Sequence, residues 1–192
     1  AGALNTTGTT TLATNNAIAA GATETFTLTY NVTLDLNANS TDGGDNVYTA
    51  CGTAGPNGNG LPGQGLYNLA ELDTNNDGQP DDNDDACGDL PNIILDKTFV
   101  SATVQPNGSY NVVYTIAVTN NGGAAGTYGL SDTPGFEDDV TINSGSYTGE
   151  AAGALNTTGA TTLATNNAIA AGATETFTLT YNVTLDLNAN ST

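Results

Sequence analysis

Basic side chains are almost absent from this chain of 192 residues. It contains no histidine and only one lysine or arginine, Lys97, against twenty acidic residues, so the formal net charge is -19. A surface of this sign repels nucleic acids and anionic membranes, and neither is expected as a partner. Because one cation cannot pair with twenty anions, we expect bound cations, a disulfide or a covalent use of the lysine to offset the self-repulsion.

The chain also lacks the side-chain sets on which common enzyme mechanisms depend. Without histidine it has no Ser-His-Asp set and no thiolate–histidine pair. The sequence contains no glycine-rich phosphate-binding loop either. We therefore expect a protein that is not an enzyme.

Long apolar runs are missing as well. None approaches the roughly 20 residues that a membrane-spanning helix requires. The chain starts without Met and shows no charged-then-apolar leader. We expect an internal or processed piece of a longer secreted protein.

What the chain does contain is a long duplication. The segment Ala1–Thr41 recurs at Ala152–Thr192, a spacing of 151 residues, and the copies differ only where Thr9 is replaced by Ala160. This spacing has the size of a domain and is too long for a solenoid unit of roughly 20–50 residues. The duplication therefore predicts one repeat of a tandem array followed by the beginning of the next.

Alternating apolar and polar residues predict an all-β protein. The longest such stretch is Phe26–Leu36, repeated at Phe177–Leu187, a second clean alternation covers Tyr110–Val118, and Leu66–Leu72 is also predicted to be a strand. A period of two is typical of a strand with one buried and one solvated face. Short strands separated by Gly, Asn, Pro and Asp turns favour a β-sandwich with antiparallel strands.

Several stretches follow one another in the order found in a known family. They are Ala20–Thr27, Tyr67–Ala70, Leu95–Thr98, Val113–Gly122 and Leu130–Pro134. Together they resemble the prokaryotic conserved surface-repeat family, the Ig-like repeats called domain of unknown function eleven. The resemblance implies tandem Ig-like sandwiches outside the cell, without enzymatic activity. It also implies a phase in which residues 1–90 end one sandwich and residues 91–192 begin the next.

An acidic stretch, Asp73–Gly88, is predicted to be a loop that binds Ca²⁺. Within it, Asp73–Asp84 fits the spacing D-x-N-x-D-G-x-x-D-x-x-D. Side chains at the first, third and fifth positions converge if the chain turns sharply, which Gly78 permits. The expected ligands are Asp73, Asn75, Asp77, Gln79 through its carbonyl, Asp81 and Asp84. The loop resembles those of dockerins and thrombospondin type-three repeats, although its last ligand is Asp rather than Glu. A solvated acidic linker is the alternative.

The two cysteines, Cys51 and Cys87, are an even number that suits one disulfide in an oxidising compartment. Such a bridge would stabilise the fold by about 4 kcal/mol in the chain-entropy model. Free buried thiols and pairing between neighbouring chains are the alternatives.

The single lysine shares a strand face with apolar residues. Lys97 is predicted to lie on the same face of its strand as Leu95 and Phe99. Asn68 and Asp132 also lie on apolar faces of their strands. A buried cluster of the three would favour a neutral amine and a protonated carboxyl, and the amine could attack the carboxamide with release of ammonia. The order of these groups resembles the isopeptide-forming Ig-like domains of Gram-positive adhesins and pilins.

The phase of the repeat complicates this cross-link. The Asn that belongs with Lys97 is the copy of Asn68 in the next repeat, beyond Thr192, and a Lys97–Asn68 link between adjacent sandwiches is a minor variant. Glu24 and its copy Glu175 are competing acids. The alternatives are a lysine that reaches solvent and a buried ion pair with Asp132.

Two functions remain after these exclusions. The first is a structural repeat of an extracellular bacterial or archaeal surface fibre, with copies of itself as partners and with Ca²⁺ and cross-links as stabilisers. The second is an adhesin stalk or carbohydrate-binding surface module that meets a ligand through Gly52–Gly65 or the acidic loop.

Overall fold

The computed structural model describes residues 2–34, 49–53 and 58–186. These residues form nine strands and no helix. The strands are β1 (Leu66–Leu72), β2 (Asp82–Gly88), β3 (Ile93–Val104), β4 (Tyr110–Asn120), β5 (Gly126–Asp132), β6 (Val140–Thr148), β7 (Gly153–Ala154), β8 (Thr161–Ile169) and β9 (Thr174–Leu185). The all-β prediction is therefore confirmed.

The main sheet has five antiparallel strands in the order β3-β4-β9-β6-β7. Strand β9 lies in its middle, with Phe177 opposite Ile116 of β4 and Tyr181 opposite Gly145 of β6. Its Thr-x-Thr-x alternation turns every second side chain to the same face. As a result β9, the last strand among the described residues, holds the two halves of the sheet together.

A second, two-stranded sheet pairs β5 with β8 and shares one core with the main sheet. Leu130 of β5 and Ile169 of β8 are buried together with β9 residues such as Phe177. The full buried core is Ile116, Val118, Leu130, Leu155, Leu163, Ile169, Phe177, Leu179, Tyr181 and Val183. Two antiparallel sheets around one apolar core are consistent with a β-sandwich.

The strands β1 and β2 form a separate two-stranded sheet. The alternation at Leu66–Leu72 predicted β1 with its observed bounds. The expected loop Asp73–Gly88 is shorter than predicted, because Asp82–Gly88 is strand β2. The amide of Asp81 donates to the carbonyl of Leu72, which closes the hairpin and lets the chain after it pair with β1.

The chain divides into two compact units. One consists of residues 1–48 and 69–85, and the other of residues 49–68 and 86–192. The phase that the family resemblance implies, with its boundary between residues 90 and 91, stays a prediction. The second unit contains the whole shared core.

The two copies of the duplicated segment have different structures. The later copy supplies β7, β8 and β9, whereas residues 2–34 of the earlier copy lie in no strand. The strand predicted at Phe26–Leu36 is therefore wrong for its described part, Phe26–Leu34, because a strand requires a hydrogen-bonded neighbour as well as an alternating sequence. The described residues also include no helix long and apolar enough to cross a membrane.

Candidate functional site

The acidic loop is organised around the carboxylate of Asp73. Its Oδ1 accepts hydrogen bonds from the amides of Asn75 at 3.2 Å and Asn76 at 2.6 Å, and its Oδ2 accepts one from Gly78 at 2.9 Å. Asn76 and Gly78 have φ angles of 62° and 86°, so the chain turns back twice within three residues. This is the sharp turn expected at Gly78.

The next two predicted ligands continue the same pattern. Asn75 Oδ1 accepts from the amide of Asp77 at 2.8 Å, and Asp77 Oδ1 accepts from the amide of Gln79 at 2.8 Å. Asp77 is an exposed residue. Oxygen-only ligands on a turned loop are the donors that Ca²⁺ prefers.

Asp81 closes the loop against Thr74. Its Oδ2 accepts from the Thr74 amide at 2.7 Å and from the Thr74 hydroxyl at 2.5 Å, and its Oδ1 accepts from the Asn75 side chain at 3.3 Å. The hydroxyl of Thr74, followed by its amide, lowers the pKa of Asp81 below the ordinary value. The carboxylate is thus held in the charged form that a cation requires.

The remaining predicted ligand lies apart from the turn. Asp84 belongs to β2, and its Oδ1 accepts from the amide of Asp85, a residue that is itself buried. The structure therefore places Asp73, Asn75, Asp77, Gln79 and Asp81 in one turn and Asp84 on the following strand. Within the described part of the chain, no three of the carboxylates of these residues lie within 4.8 Å of one another.

A different group of acids converges most closely among the described residues. One carboxylate oxygen each from Glu137, Asp138 and Asp139 lies within 4.8 Å of the others. Hydrogen bonding with Asp138 raises the pKa of Glu137. This triplet is not among the ligands predicted from the sequence, although three consecutive acids after Gly135-Phe136 are a visible signal. Exposed acidic groups of this kind are common without a metal.

A disulfide joins Cys51 to Cys87, with their Cα atoms 5.9 Å apart. It confirms the pairing within one chain that the two cysteines suggested. Gly65 passes directly beside it, because a Cβ at this position would lie 2.6 Å from Cys51 Sγ and 2.6 Å from the carbonyl oxygen of Gly88. The bridge ties the segment before β1 to the end of β2.

The loop Gly52–Gly65 is held near the disulfide by one side chain. Gln64 Oε1 accepts from the amide of Gly52 at 3.1 Å and from the amide of Leu61 at 2.9 Å. Residues 54–57 of this predicted ligand-binding loop lie outside the described part of the chain.

Lys97 and Asp132 form an ion pair at the edge of the core. Lys97 Nζ donates to Asp132 Oδ1 and lies 5.1 Å from the ring centroid of Tyr114. The other carboxylate oxygen, Oδ2, accepts from the hydroxyl of Tyr181 at 2.8 Å. The Asp132 side chain is 5% exposed and that of Lys97 is 38% exposed. The lysine stem thus lies along the core edge while part of the side chain remains accessible.

The other groups predicted for the cross-link lie elsewhere. Asn68 is an exposed residue of β1, and no hydrogen bond of the described chain joins it to Lys97 or Asp132. Glu175 instead accepts from the hydroxyl of Tyr128 and from Asn167 Nδ2 at 2.7 Å. Lys97 and Asp132 are therefore the two members of the predicted set that meet.

Comparison with known proteins identifies no relative. No protein-family model, no curated protein and no solved structure matches this chain.

Proposed function

We propose that this protein is the repeat unit of an extracellular structural fibre on a bacterial or archaeal surface, built from Ig-like β-sandwiches in tandem. The observation that carries the proposal is the origin of β9. The central strand of the main sheet comes from a segment that occurs twice, 151 residues apart. A longer array with this period would repeat the same sandwich once per period, as a uniform fibre requires.

The covalent and polar links of the described chain support a passive mechanical role. A disulfide, the Lys97–Asp132 ion pair and a core with no unpaired buried side-chain polar atom among the described residues stabilise the fold. A disulfide is typical of proteins outside the cytosol. Resistance to extension, heat and proteolysis is the function that these features serve.

Calcium is the proposed stabilising ion. Asp73, Asn75, Asp77 and Asp81 would supply side-chain oxygens, Gln79 its carbonyl, and Asp84 a carboxylate from β2. The turn around Asp73 supports this assignment because its backbone amides already hold the side chains in place. A cation at the loop would also offset part of the net charge of -19.

An isopeptide bond is the proposed second cross-link of a longer array. Lys97 Nζ would attack the carboxamide carbon of the Asn equivalent to Asn68 in the next repeat, and the nitrogen of that carboxamide would leave as ammonia. The contact between Lys97 and the buried Asp132 supports the proposal, since the acid can polarise the carboxamide and exchange protons with the amine.

Electron microscopy of the native assembly tests the fibre proposal. We expect regular filaments with a subunit that repeats along the axis. Single long molecules with a distinct tip would instead support the adhesin stalk or carbohydrate-binding module, and isolated compact particles would contradict both.

A further inference from the structure

The earlier copy of the duplicated segment exposes the side chains that the later copy buries. Phe177, Leu179, Tyr181 and Val183 of β9 are 0–3% exposed, while their counterparts Phe26, Leu28, Tyr30 and Val32 are 37–58% exposed. The same contrast holds in the β8 region, where Ile169 is 1% exposed and Ile18 is 58% exposed. A soluble protein rarely leaves an apolar stripe of this length uncovered without a partner for it.

The earlier copy nevertheless has some of the turn geometry of the later one. The amide of Asn5 donates to Thr10 Oγ1 at 2.8 Å, and the amide of Asn156 donates to Thr161 Oγ1 at 2.7 Å. Asn15 has a φ angle of 50°, and its counterpart Asn166 has one of 47°. The earlier copy therefore shares local turn geometry with the segment that forms β7, β8 and β9, although it forms no strand itself.

Side-chain contacts within the two copies agree as well. Asn16 Nδ2 donates to Glu24 Oε2 at 2.5 Å, as Asn167 Nδ2 does to Glu175 Oε2 at 2.7 Å. In the later copy this carboxylate also accepts from Tyr128, a residue that the duplication does not contain. The two copies thus share these internal contacts, and the earlier copy differs in lacking the neighbouring residues that the later copy contacts.

The later copy shows what those neighbours are. Strand β9 pairs with β4 on one side and with β6 on the other. Asn120 of β4 donates to the carbonyl of Ala170 at 3.2 Å, and Tyr181 donates to Asp132 of β5 at 2.8 Å. All of these partners lie within residues 93–148, so a segment with this sequence is a complete receptor for either copy.

We propose that residues 2–34 are a strand donor that inserts into the β3–β6 segment of a second copy of this chain. In the inserted state Phe26–Leu34 takes the place of β9 between β4 and β6 of that copy, and Thr10–Ile18 takes the place of β8 beside β5. The inference deepens the fibre proposal and rests on it. In an array of this period, residues 2–34 would be the donor for the unit before them, and the shared sandwich would be the joint between the two units.

Each chain has two donors and one receptor, and the donor in the same chain fills the receptor first because of its high effective concentration. The earlier copy therefore stays open until it meets a receptor whose own donor is absent or disabled. This condition allows the proposal to be tested in the full chain.

The test introduces the same charge at matched positions of the two copies. Leu179→Asp disables the donor in β9, Leu28→Asp disables the earlier donor, and the double variant disables both. A carboxylate at the centre of a fully buried strand face prevents insertion. Thermal melting followed by circular dichroism and sedimentation velocity over a range of concentrations are the two measurements.

The proposal expects an asymmetric result. Leu28→Asp leaves the melting transition and the sedimentation of the unsubstituted chain unchanged, whereas Leu179→Asp keeps a cooperative transition and sediments as concentration-dependent oligomers. The double variant loses the transition. If Leu179→Asp is as unfolded as the double variant at every concentration, the donor role is refuted. If it is folded and monomeric, a second copy is refuted as the partner.

A cross-link identifies the joint directly in the Leu179→Asp background. Thr115 lies opposite Thr178, the counterpart of Thr27, in the β4–β9 pairing. Cysteines at Thr27 and Thr115 should therefore give a ladder of linked chains on a non-reducing gel, and the same variant with Leu28→Asp added should give none. A ladder that persists with Leu28→Asp would refute the register.

The outcomes separate the two proposals. Failure of complementation leaves the fibre proposal standing, because sandwiches can pack end to end without sharing strands. Successful complementation in a protein whose native assembly shows no filaments would contradict the fibre and keep the donor.

Discussion

A single buried amide joins the two sheets at one end of the core. Asn120 is 0% exposed, and its Oδ1 accepts from the amides of Asn92 at 2.9 Å and Gly122 at 3.0 Å. Its Nδ2 donates to the carbonyls of Ala124 at 2.8 Å and Ala170 at 3.2 Å. No shorter or apolar side chain can make all of these bonds, so the residue type is determined by its position.

We predict that Asn120→Ala destabilises the protein by about 2–4 kcal/mol, because several backbone groups lose their partner inside the core. Urea denaturation measures the free energy of unfolding. Asn121→Ala is the matched control, since Asn121 is exposed and bonds to the carbonyl of Asn92 through its backbone amide. Equal losses for the two variants would contradict the role assigned to the buried side chain.

We predict that Tyr128 makes the free energy of unfolding depend on pH in the alkaline range. Burial, followed by its hydrogen bond to Glu175, raises the pKa of Tyr128 to about 12. Burial and the contact with Asp132 also raise the pKa of Tyr181. In both cases the folded state holds the proton more tightly than the unfolded state, whose phenol has a pKa of about 10.

The contribution of Tyr128 is therefore complete below pH 10 and is lost as the pH rises through about 12. We expect the free energy of unfolding to fall over this interval. In Tyr128→Phe the fall should be smaller, which denaturation at a series of pH values between 9 and 12 would reveal. If the free energy of unfolding falls as steeply with pH in Tyr128→Phe as in the unsubstituted protein, Tyr128 is not the cause of the fall.

At the scale of elements, β6 depends on a glycine. A Cβ at Gly145 would lie 2.7 Å from Leu155 Cβ and 3.0 Å from Tyr181 Cδ1, so the absence of a side chain lets the Tyr181 ring approach β6 closely. This close approach is part of what places β9 at the centre of the sheet.

We expect Gly145→Val to destabilise the protein by about 1–3 kcal/mol through overpacking. Gly129→Val is the matched control in β5, where the nearest atom to an added Cβ is 3.8 Å away. Thermal melting of the two variants separates steric clash from the general effect of replacing a glycine in a strand. If Gly129→Val destabilises the protein more than Gly145→Val does, overpacking at Gly145 is contradicted.

The hairpin between β1 and β2 is the element on which calcium should act. We predict that millimolar Ca²⁺ raises the melting temperature and that Asp77→Asn weakens the affinity about tenfold, because the loop loses one charged ligand. The amide keeps the oxygen that accepts from Gln79, so the turn itself is preserved.

Asp138→Asn removes the same charge from the Glu137–Asp139 triplet and should leave the calcium response unchanged. Isothermal titration of the three proteins compares the affinities. If Asp138→Asn alone weakens binding, the ion belongs to the triplet, and if chelation leaves the wild-type midpoint unchanged, the calcium assignment fails.

At the scale of the whole molecule, the one lysine gives the cross-link a distinct mass signature. The mass of a native array with the proposed bond should be lower than the mass calculated from its sequence. The difference should be one ammonia per complete Lys–Asn pair, in addition to the hydrogens lost in the disulfides. Intact mass spectrometry measures this difference. A Lys97→Arg array, which retains the charge opposite Asp132, should show only the loss due to disulfides. An unmodified mass in the native array would exclude the isopeptide bond and leave the ion pair as the role of Lys97.

Much of the strand content followed from alternation alone. Strand β1 and most of β4 were predicted because their apolar residues recur with a period of two. The disulfide followed from the number of cysteines, and the turn at Gly78 followed from the spacing of the acids. The strands and the turn depend on residues that are close together in the chain. The disulfide could be predicted because each cysteine has only one possible partner within the chain.

Contacts between residues that are far apart in the chain were harder to predict from the sequence. Asn120 was noted only within the stretch Val113–Gly122, since its partners come from residues as far away as Asn92 and Ala170. Asn68 has a polar side chain on an alternating strand, as predicted, yet it is exposed, and the hydrogen bonds of Lys97 and Asp132 go to each other and to Tyr181. A strand pattern specifies a face, and only the packing of the sheets decides which faces meet.

The duplicated segment separates the two kinds of information. Its sequence by itself determined an alternating segment with the turns at Gly8 and Gly21, and these turns are equally present at Gly159 and Gly172. The tertiary structure alone decided that one copy became the centre of a sheet. The reason is physical: alternation provides an apolar face, but a strand exists only where neighbouring backbones accept its hydrogen bonds.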